Sequence, residues 1–129
     1  MTTWLNLAAI ALAGATGALC RYGITLTAAA IPGGSTMLGT TAVNLLGCAL
    51  LGGVSALGDV EGEWMNRMML ALRVGFLGSL TTFSTFAFES TSLAGAGRLG
   101  ASAIYLAANI VVGFFVLVVA GEVVKEWMQ

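Results

Sequence analysis

The residues of this sequence that could do chemistry are few and lie far apart, inside long apolar runs. Arg21, Asn44, Glu89 and Asn109 each interrupt such a run. Polar groups are costly inside a membrane and by default indicate a functional site there. With the Ser, Thr and Tyr hydroxyls of the same runs, the guanidinium and amide groups supply scattered hydrogen-bond donors, a set that suits a desolvated anion.

No arrangement of these residues resembles an enzyme site. Histidine is absent, which excludes an imidazole base or metal ligand. There is no nucleophile with a neighbouring base, no carboxylate pair and no cluster of metal ligands. Cys20 and Cys48 lie in apolar runs and are interpreted as small apolar residues. We therefore expect a protein that is not an enzyme, and the absence of a basic patch argues against nucleic acid as a partner.

One set of polar positions follows a helical period. Tyr105, Asn109 and Gly113 recur at intervals of four residues and so share one face of a helix. A polar stripe on an apolar helix predicts a wet or polar lining, and we place Tyr105 and Asn109 in it. Glu89 would repel an anion on such a path, so we expect its carboxylate to be paired, protonated or set aside.

The composition identifies the kind of protein that positions these residues. Of 129 residues, 58% are hydrophobic and only 9% are charged, against about 25% charged in soluble domains. A soluble protein, a disulfide-rich secreted scaffold and a disordered chain are all excluded. Because a spanning helix needs about 20 apolar residues, we predict an all-α membrane protein with four transmembrane helices in one domain, residues 1–129.

The predicted spans cover residues 4–30, 37–57, 65–93 and 99–124. The first could be mistaken for a signal peptide. However, it has no preceding Lys or Arg, it continues beyond a short apolar region, and Leu19 is too large for a cleavage site before Cys20. We interpret it as a retained first span.

The third span is too long for one straight helix. Nearly 30 helical residues would measure about 45 Å, whereas the hydrocarbon core is about 30 Å thick. The segment GFLGSLTTFSTF, residues 75–86, contains weak helix formers and predicts a break. Backbone groups freed at membrane depth are tolerated only inside protein or around a polar cavity, and in transporters such breaks hold ions.

The charges give the chain almost no preferred orientation. With four spans, Arg67 and Lys125, and Arg73 if it counts, lie on one side, and Arg98 and Arg21 lie towards the other. The positive-inside rule then favours neither orientation. Insertion in both orientations and ordinary single insertion both remain open from the charges alone.

Three motifs carry a resemblance to a known family. They are TTFSTF at residues 81–86, GATGALCRY at 14–22 and GTTAVNLLG at 39–47. In this order, and with the glycine-rich approach to the third span, the chain resembles the Fluc/CrcB family of bacterial fluoride channels over essentially its whole length.

The resemblance implies an antiparallel, dual-topology homodimer in the bacterial inner membrane, with two pathways that export fluoride passively. It implies pore roles for Phe83, Phe86 and Asn44, with Ser84 on a polar track, Arg21 in the vestibule and Glu89 near the pathway. It further implies a structural Na⁺ at the dimer centre, held by the backbone carbonyls of Gly78 and Thr81. The partners implied are fluoride, a second copy of the chain and membrane lipid.

The sequence departs from the family pattern at Ala87, Asn109 and Gly113, where hydroxyl residues often occur, so the anion path is less defined than the function. Two other functions remain open from the residues alone. A proton-coupled exporter of organic cations would need Glu89 as its central carboxylate. A membrane scaffold without transport would leave Asn44 and Asn109 with no role beyond packing.

Overall fold

The computed structural model describes residues 2–58 and 61–129, which are entirely helical apart from short connections. The helices, in chain order, are α1 (Thr2–Ala30), α2 (Thr36–Ala56), α3 (Glu63–Leu70), a π-helical segment (Ala71–Leu77), α4 (Gly78–Leu80), α5 (Phe83–Gly95), α6 (Leu99–Ala107), a second π-helical segment (Ala108–Val112) and α7 (Gly113–Trp127).

These elements form four stretches that are long and apolar enough to cross a membrane. They run over Thr3–Ala30, Thr36–Ala56, Glu63–Gly95 and Leu99–Trp127, and we refer to them as the first to fourth spans. Helices satisfy their backbone hydrogen bonds internally, which the bilayer requires. The prediction of an all-helical protein with four membrane-spanning stretches is confirmed.

The first connection shows how the sequence ends one span and begins the next. Gly33 has a φ of +77°, a conformation that side chains other than hydrogen rarely adopt. The Ser35 hydroxyl then accepts a hydrogen bond from the Leu38 N–H at 3.3 Å and caps α2. The chain therefore reverses within five residues, which brings α1 and α2 side by side.

The buried core is small and lies around the middle of the third span. Val43, Leu77 and Leu80 form its centre. The first span approaches closely because Gly17 has no side chain: a Cβ there would lie 2.2 Å from the Phe76 carbonyl oxygen. Small residues at such crossings are the usual basis of helix association in lipid.

Much of the remaining apolar surface is exposed. Within the most apolar stretch of the first span, only 6% of residues are buried, and within that of the fourth span only 11%. Large side chains such as Leu12, Phe88 and Phe114 are exposed. A single copy of the chain in water would aggregate, so these faces are suited to lipid or to another apolar protein surface.

Candidate functional site

The site lies where the third span loses its helical backbone. Thr81 and Thr82 have extended dihedral angles, φ −81° and ψ 155° for the first and φ −148° and ψ 114° for the second. Helical structure resumes at Phe83. The Thr82 hydroxyl caps α5 by accepting the Thr85 N–H at 3.4 Å. The extended pair lies inside the segment 75–86, whose composition favours an interruption.

Asn44 on α2 takes over the backbone groups that the extended residues leave unpaired. The Thr82 N–H donates to the Asn44 side-chain oxygen at 2.8 Å, and Asn44 Nδ2 donates to the Thr82 carbonyl at 3.3 Å. The side-chain amide therefore pairs with the main chain through both its oxygen and its nitrogen. A buried backbone N–H or C=O needs such a partner.

The same interruption releases two carbonyl oxygens from helical hydrogen bonding. The helical donor for the Gly78 carbonyl would be the Thr82 N–H, which donates to Asn44 instead. The helical donor for the Thr81 carbonyl would be the Thr85 N–H, which donates to the Thr82 hydroxyl. Carbonyl oxygens free of helical donors are suitable ligands for a hard cation, so these two residues fit the sodium role that the resemblance implies.

A second asparagine extends the polar contacts to the fourth span. Asn44 Nδ2 donates to Asn109 Oδ1 at 2.9 Å. Asn109 Nδ2 in turn donates to the Thr41 hydroxyl and to the Tyr105 carbonyl, each at 3.1 Å. The side-chain amides of Asn44 and Asn109 thus join the second, third and fourth spans through contacts between residues 38 to 68 apart in the sequence.

Aromatic rings continue from this network towards α6. The rings of Phe83 and Phe86 meet edge to face with centroids 5.6 Å apart, and Phe86 also lies 5.6 Å from the Tyr105 ring. The Tyr105 hydroxyl donates to the Glu89 carboxylate at 2.5 Å. Phe86, Tyr105 and Glu89 are buried, whereas Phe83 is 76% exposed. The carboxylate is therefore paired with a hydroxyl within the same copy of the chain.

A groove of about 510 Å³ brings most of these groups onto one surface. Its polar and aromatic lining includes Asn44, Asn109, Phe83 and Phe86, and Gly78 and Thr81 also border it. The rest of the wall is mainly apolar. An apolar groove with a few convergent polar groups is the usual form of a small-ligand site.

Four residues of the predicted site do not line the groove in the part of the chain that the structure describes. Arg21 is half-buried on α1 and Ser84 is exposed on α5. Tyr105 and Glu89 are buried and hydrogen-bonded to each other. The structure of one copy of the chain therefore does not bring these four residues to the groove.

Sequence reasoning missed three residues that contribute to the site. Thr82 and Thr41 belong to the motifs at 81–86 and 39–47, but only their contacts across the spans show their roles. In the sequence, Arg73 is only a charge that could set orientation. In the structure it lines the groove, with Nη2 donating to the Val54 carbonyl at 3.1 Å. An arginine inside an apolar run is a signal that could have marked it.

Comparison with known proteins agrees with the sequence motifs. Residues 8–121 match the family model described as CrcB-like protein, Camphor Resistance (CrcB). A protein of Rhodopirellula baltica named fluoride-specific ion channel FluC is 41% identical, with 98% of this chain and 99% of that protein covered.

Two further relatives carry similar names. A Chloroflexus aurantiacus protein named fluoride-specific ion channel FluC is 39% identical over 95% of this chain and 96% of its own length. The Geobacillus kaustophilus fluoride-specific ion channel FluC 2 is 38% identical over 79% of each chain. Together with the family model, these matches show that the chain belongs to the CrcB family.

Proposed function

We propose that this protein is a fluoride-selective channel that lets fluoride leave the cell passively and so confers resistance to it. The observation that carries the proposal is the match to proteins named fluoride-specific ion channels over nearly the full length of this chain. The groove supports it chemically, because side-chain amides and the rings of Phe83 and Phe86 converge on a mainly apolar surface that could take a small anion.

The donors in the groove are hard, and the aromatic rings add weak positive edges. A phenyl ring is negative on its face and positive at its edge, so the edges of Phe83 and Phe86 can face an anion in a dry passage. Ring edges alone are too weak to replace water around fluoride. We infer that the side-chain amide of Asn44 shares the task, and that a narrow path with hard donors excludes chloride.

The proposed assembly is an antiparallel, dual-topology homodimer with two fluoride pathways. The near-balanced charges support both orientations of the chain. The exposure of Phe83, at 76%, supports a ring that completes a pathway against a second copy. In that dimer, Arg21 would lie in a vestibule and Ser84 on a polar track, which is consistent with their absence from the groove of one copy.

A structural Na⁺ is proposed at the centre of the dimer. The carbonyl oxygens of Gly78 and Thr81 from each copy would hold it. The ion would neutralise the partial negative charge that these carbonyls concentrate at the interruption. The support is the loss of helical donors at both carbonyls, caused by the contacts of Thr82 with Asn44 and with Thr85.

The cellular location proposed is the bacterial inner membrane, with surrounding lipid as the other partner. The four apolar helical spans have 21 to 33 residues each, whereas the strands of an outer-membrane barrel have about 10.

Fluoride efflux from liposomes tests the proposal. Purified protein is reconstituted in vesicles loaded with potassium fluoride, and a fluoride electrode records release when valinomycin supplies a return path for potassium. We expect rapid release that depends on valinomycin, and no release of chloride from matched vesicles. Equal release of both anions, or release only with a proton gradient, would contradict a selective passive channel.

A further inference from the structure

The side-chain amide of Asn44 has no unused hydrogen-bond donor. A primary amide carries two N–H groups and one acceptor oxygen. Asn44 Nδ2 donates to the Thr82 carbonyl at 3.3 Å and to Asn109 Oδ1 at 2.9 Å, while the oxygen accepts the Thr82 N–H. An anion can therefore gain a hydrogen bond from Asn44 only if one of these contacts opens.

The orientation of both amides is determined by main-chain groups. The Thr82 N–H can only donate, so the Asn44 atom facing it must be oxygen. The Tyr105 carbonyl can only accept, so the Asn109 atom facing it must be nitrogen. Neither side chain can be rotated end for end without setting like groups against each other. Asn109 therefore presents its oxygen to Asn44.

The contact with Asn109 is the one that can open at least cost. The contacts with Thr82 satisfy main-chain groups at the interruption, and Thr82 is buried. Opening them would leave backbone donors and acceptors unpaired, which is expensive. Asn109 Oδ1 is a side-chain acceptor on a wall of the groove that it shares with Asn44. An anion that enters the groove and binds to this Asn44 N–H must take the position that Asn109 Oδ1 occupies.

We propose that Asn109 is an intramolecular competitor of the anion for the Asn44 N–H, and so sets how readily the groove takes up fluoride. The inference rests on the proposed function of the same groove. An asparagine at this position brings a fixed acceptor to Asn44. A hydroxyl there would both donate and accept, so it would not impose the same competition.

Replacing Asn109 tests the competition through the fluoride concentration at half-maximal conductance. In Asn109→Ala and Asn109→Leu the competing acceptor is gone. We expect half-saturation to fall about two- to tenfold, the factor that corresponds to one neutral hydrogen bond. In Asn109→Asp the acceptor is retained and becomes negatively charged, so half-saturation should rise at least about twofold.

Asn6→Ala is the matched control. It removes an asparagine whose oxygen accepts a hydrogen bond from Arg67 and which lies outside the groove lining in the described residues. Its half-saturation should equal that of the wild type. A role of Asn109 in stability alone would lower the yield of folded protein and leave half-saturation unchanged.

Unchanged or raised half-saturation in folded Asn109→Ala and Asn109→Leu would overturn the inference. If neither variant folds, Asn109→Asp decides, and half-saturation equal to the wild type would overturn it. Failure of the proposed function is a separate result, because wild-type protein would then conduct no fluoride at all.

Discussion

At the scale of single residues, the site depends on polar side chains that form hydrogen bonds between spans. Asn44 pairs with both backbone groups of Thr82, and the Tyr105 hydroxyl pairs with Glu89. Each contact joins residues from different spans. Asn44, Asn109 and Glu89 look isolated in the sequence but are hydrogen-bonded in the fold, so an anion that binds to one of them must displace one of these contacts.

The paired phenylalanines give a prediction at this scale. Phe83→Ile and Phe86→Ile remove the ring edges while retaining apolar side chains. We expect fluoride efflux to fall by about tenfold in each, the factor equivalent to about 1.4 kcal/mol. The measurement is electrode-recorded efflux from liposomes, with size-exclusion chromatography to compare oligomeric state.

Phe88→Ile is the control for these variants. Phe88 lies on α5 as well, is 72% exposed, and is outside the groove lining in the part of the chain described. Its efflux should match the wild type. Wild-type efflux in both Phe83→Ile and Phe86→Ile would remove the rings from the mechanism.

At the scale of elements, close approach of the first and third spans depends on glycine. A Cβ at Gly17 would overlap the Phe76 carbonyl oxygen, and a Cβ at Gly75 would overlap the Ile10 carbonyl oxygen. The neighbours concerned are main-chain atoms, which cannot rotate away as the end of a flexible side chain can. The approach of α1 thus supports the segment that leads into the interruption.

Gly17→Ala tests this packing. A Cβ at Gly17 would lie 2.2 Å from the Phe76 carbonyl oxygen, so the helices must separate. We expect the free energy of unfolding in mixed micelles to fall by about 1–3 kcal/mol. Gly23→Ala on the same helix is the control, because a Cβ there meets nothing within 4 Å. Equal stability of the two variants would contradict the packing argument.

The elements also show what sequence can and cannot predict. Four apolar runs predict four spanning helices because lipid leaves few other ways to satisfy the backbone. Weak helix formers predict the neighbourhood of the extended residues. The particular pair, Thr81 and Thr82, depends on Asn44, which lies 38 residues from Thr82 in the chain. The π-helical segments carry no comparable sequence signal.

For the site residues too, the sequence predicts positions on a helix face but not contacts between helices. The four-residue period places Tyr105, Asn109 and Gly113 on one helix face. Asn109 and Gly113 line the groove, whereas Tyr105 is buried and does not. Periodicity says nothing about partners on other helices, so the contacts of Asn109 with Asn44 and Thr41 could not be predicted. Local pattern determines which face is polar, and tertiary packing determines which groups remain available to a ligand.

At the scale of the whole molecule, the proposed dual topology depends on a small difference in charge. Five basic residues are divided almost evenly between the two ends of the spans. A few added charges can therefore decide the orientation. The large exposed apolar surface of one copy suits an oppositely oriented second copy embedded in lipid.

Adding a cluster of lysines next to one terminus tests the antiparallel arrangement. We expect the variant to insert in one orientation and to lose most of its fluoride efflux, because antiparallel pairs can no longer form. Co-expression with a variant biased the opposite way should restore efflux. A variant that inserts in one orientation and conducts alone would show that the antiparallel dimer is wrong.

The reversal potential of the current in a planar bilayer tests the central claim, passive and selective fluoride conduction, most directly. With a tenfold fluoride gradient and equal chloride and pH on both sides, we expect reversal about 59 mV from zero, the value for a single univalent ion. A reversal potential that stays near zero, or one that follows the proton or chloride gradient when these are varied, would contradict the account.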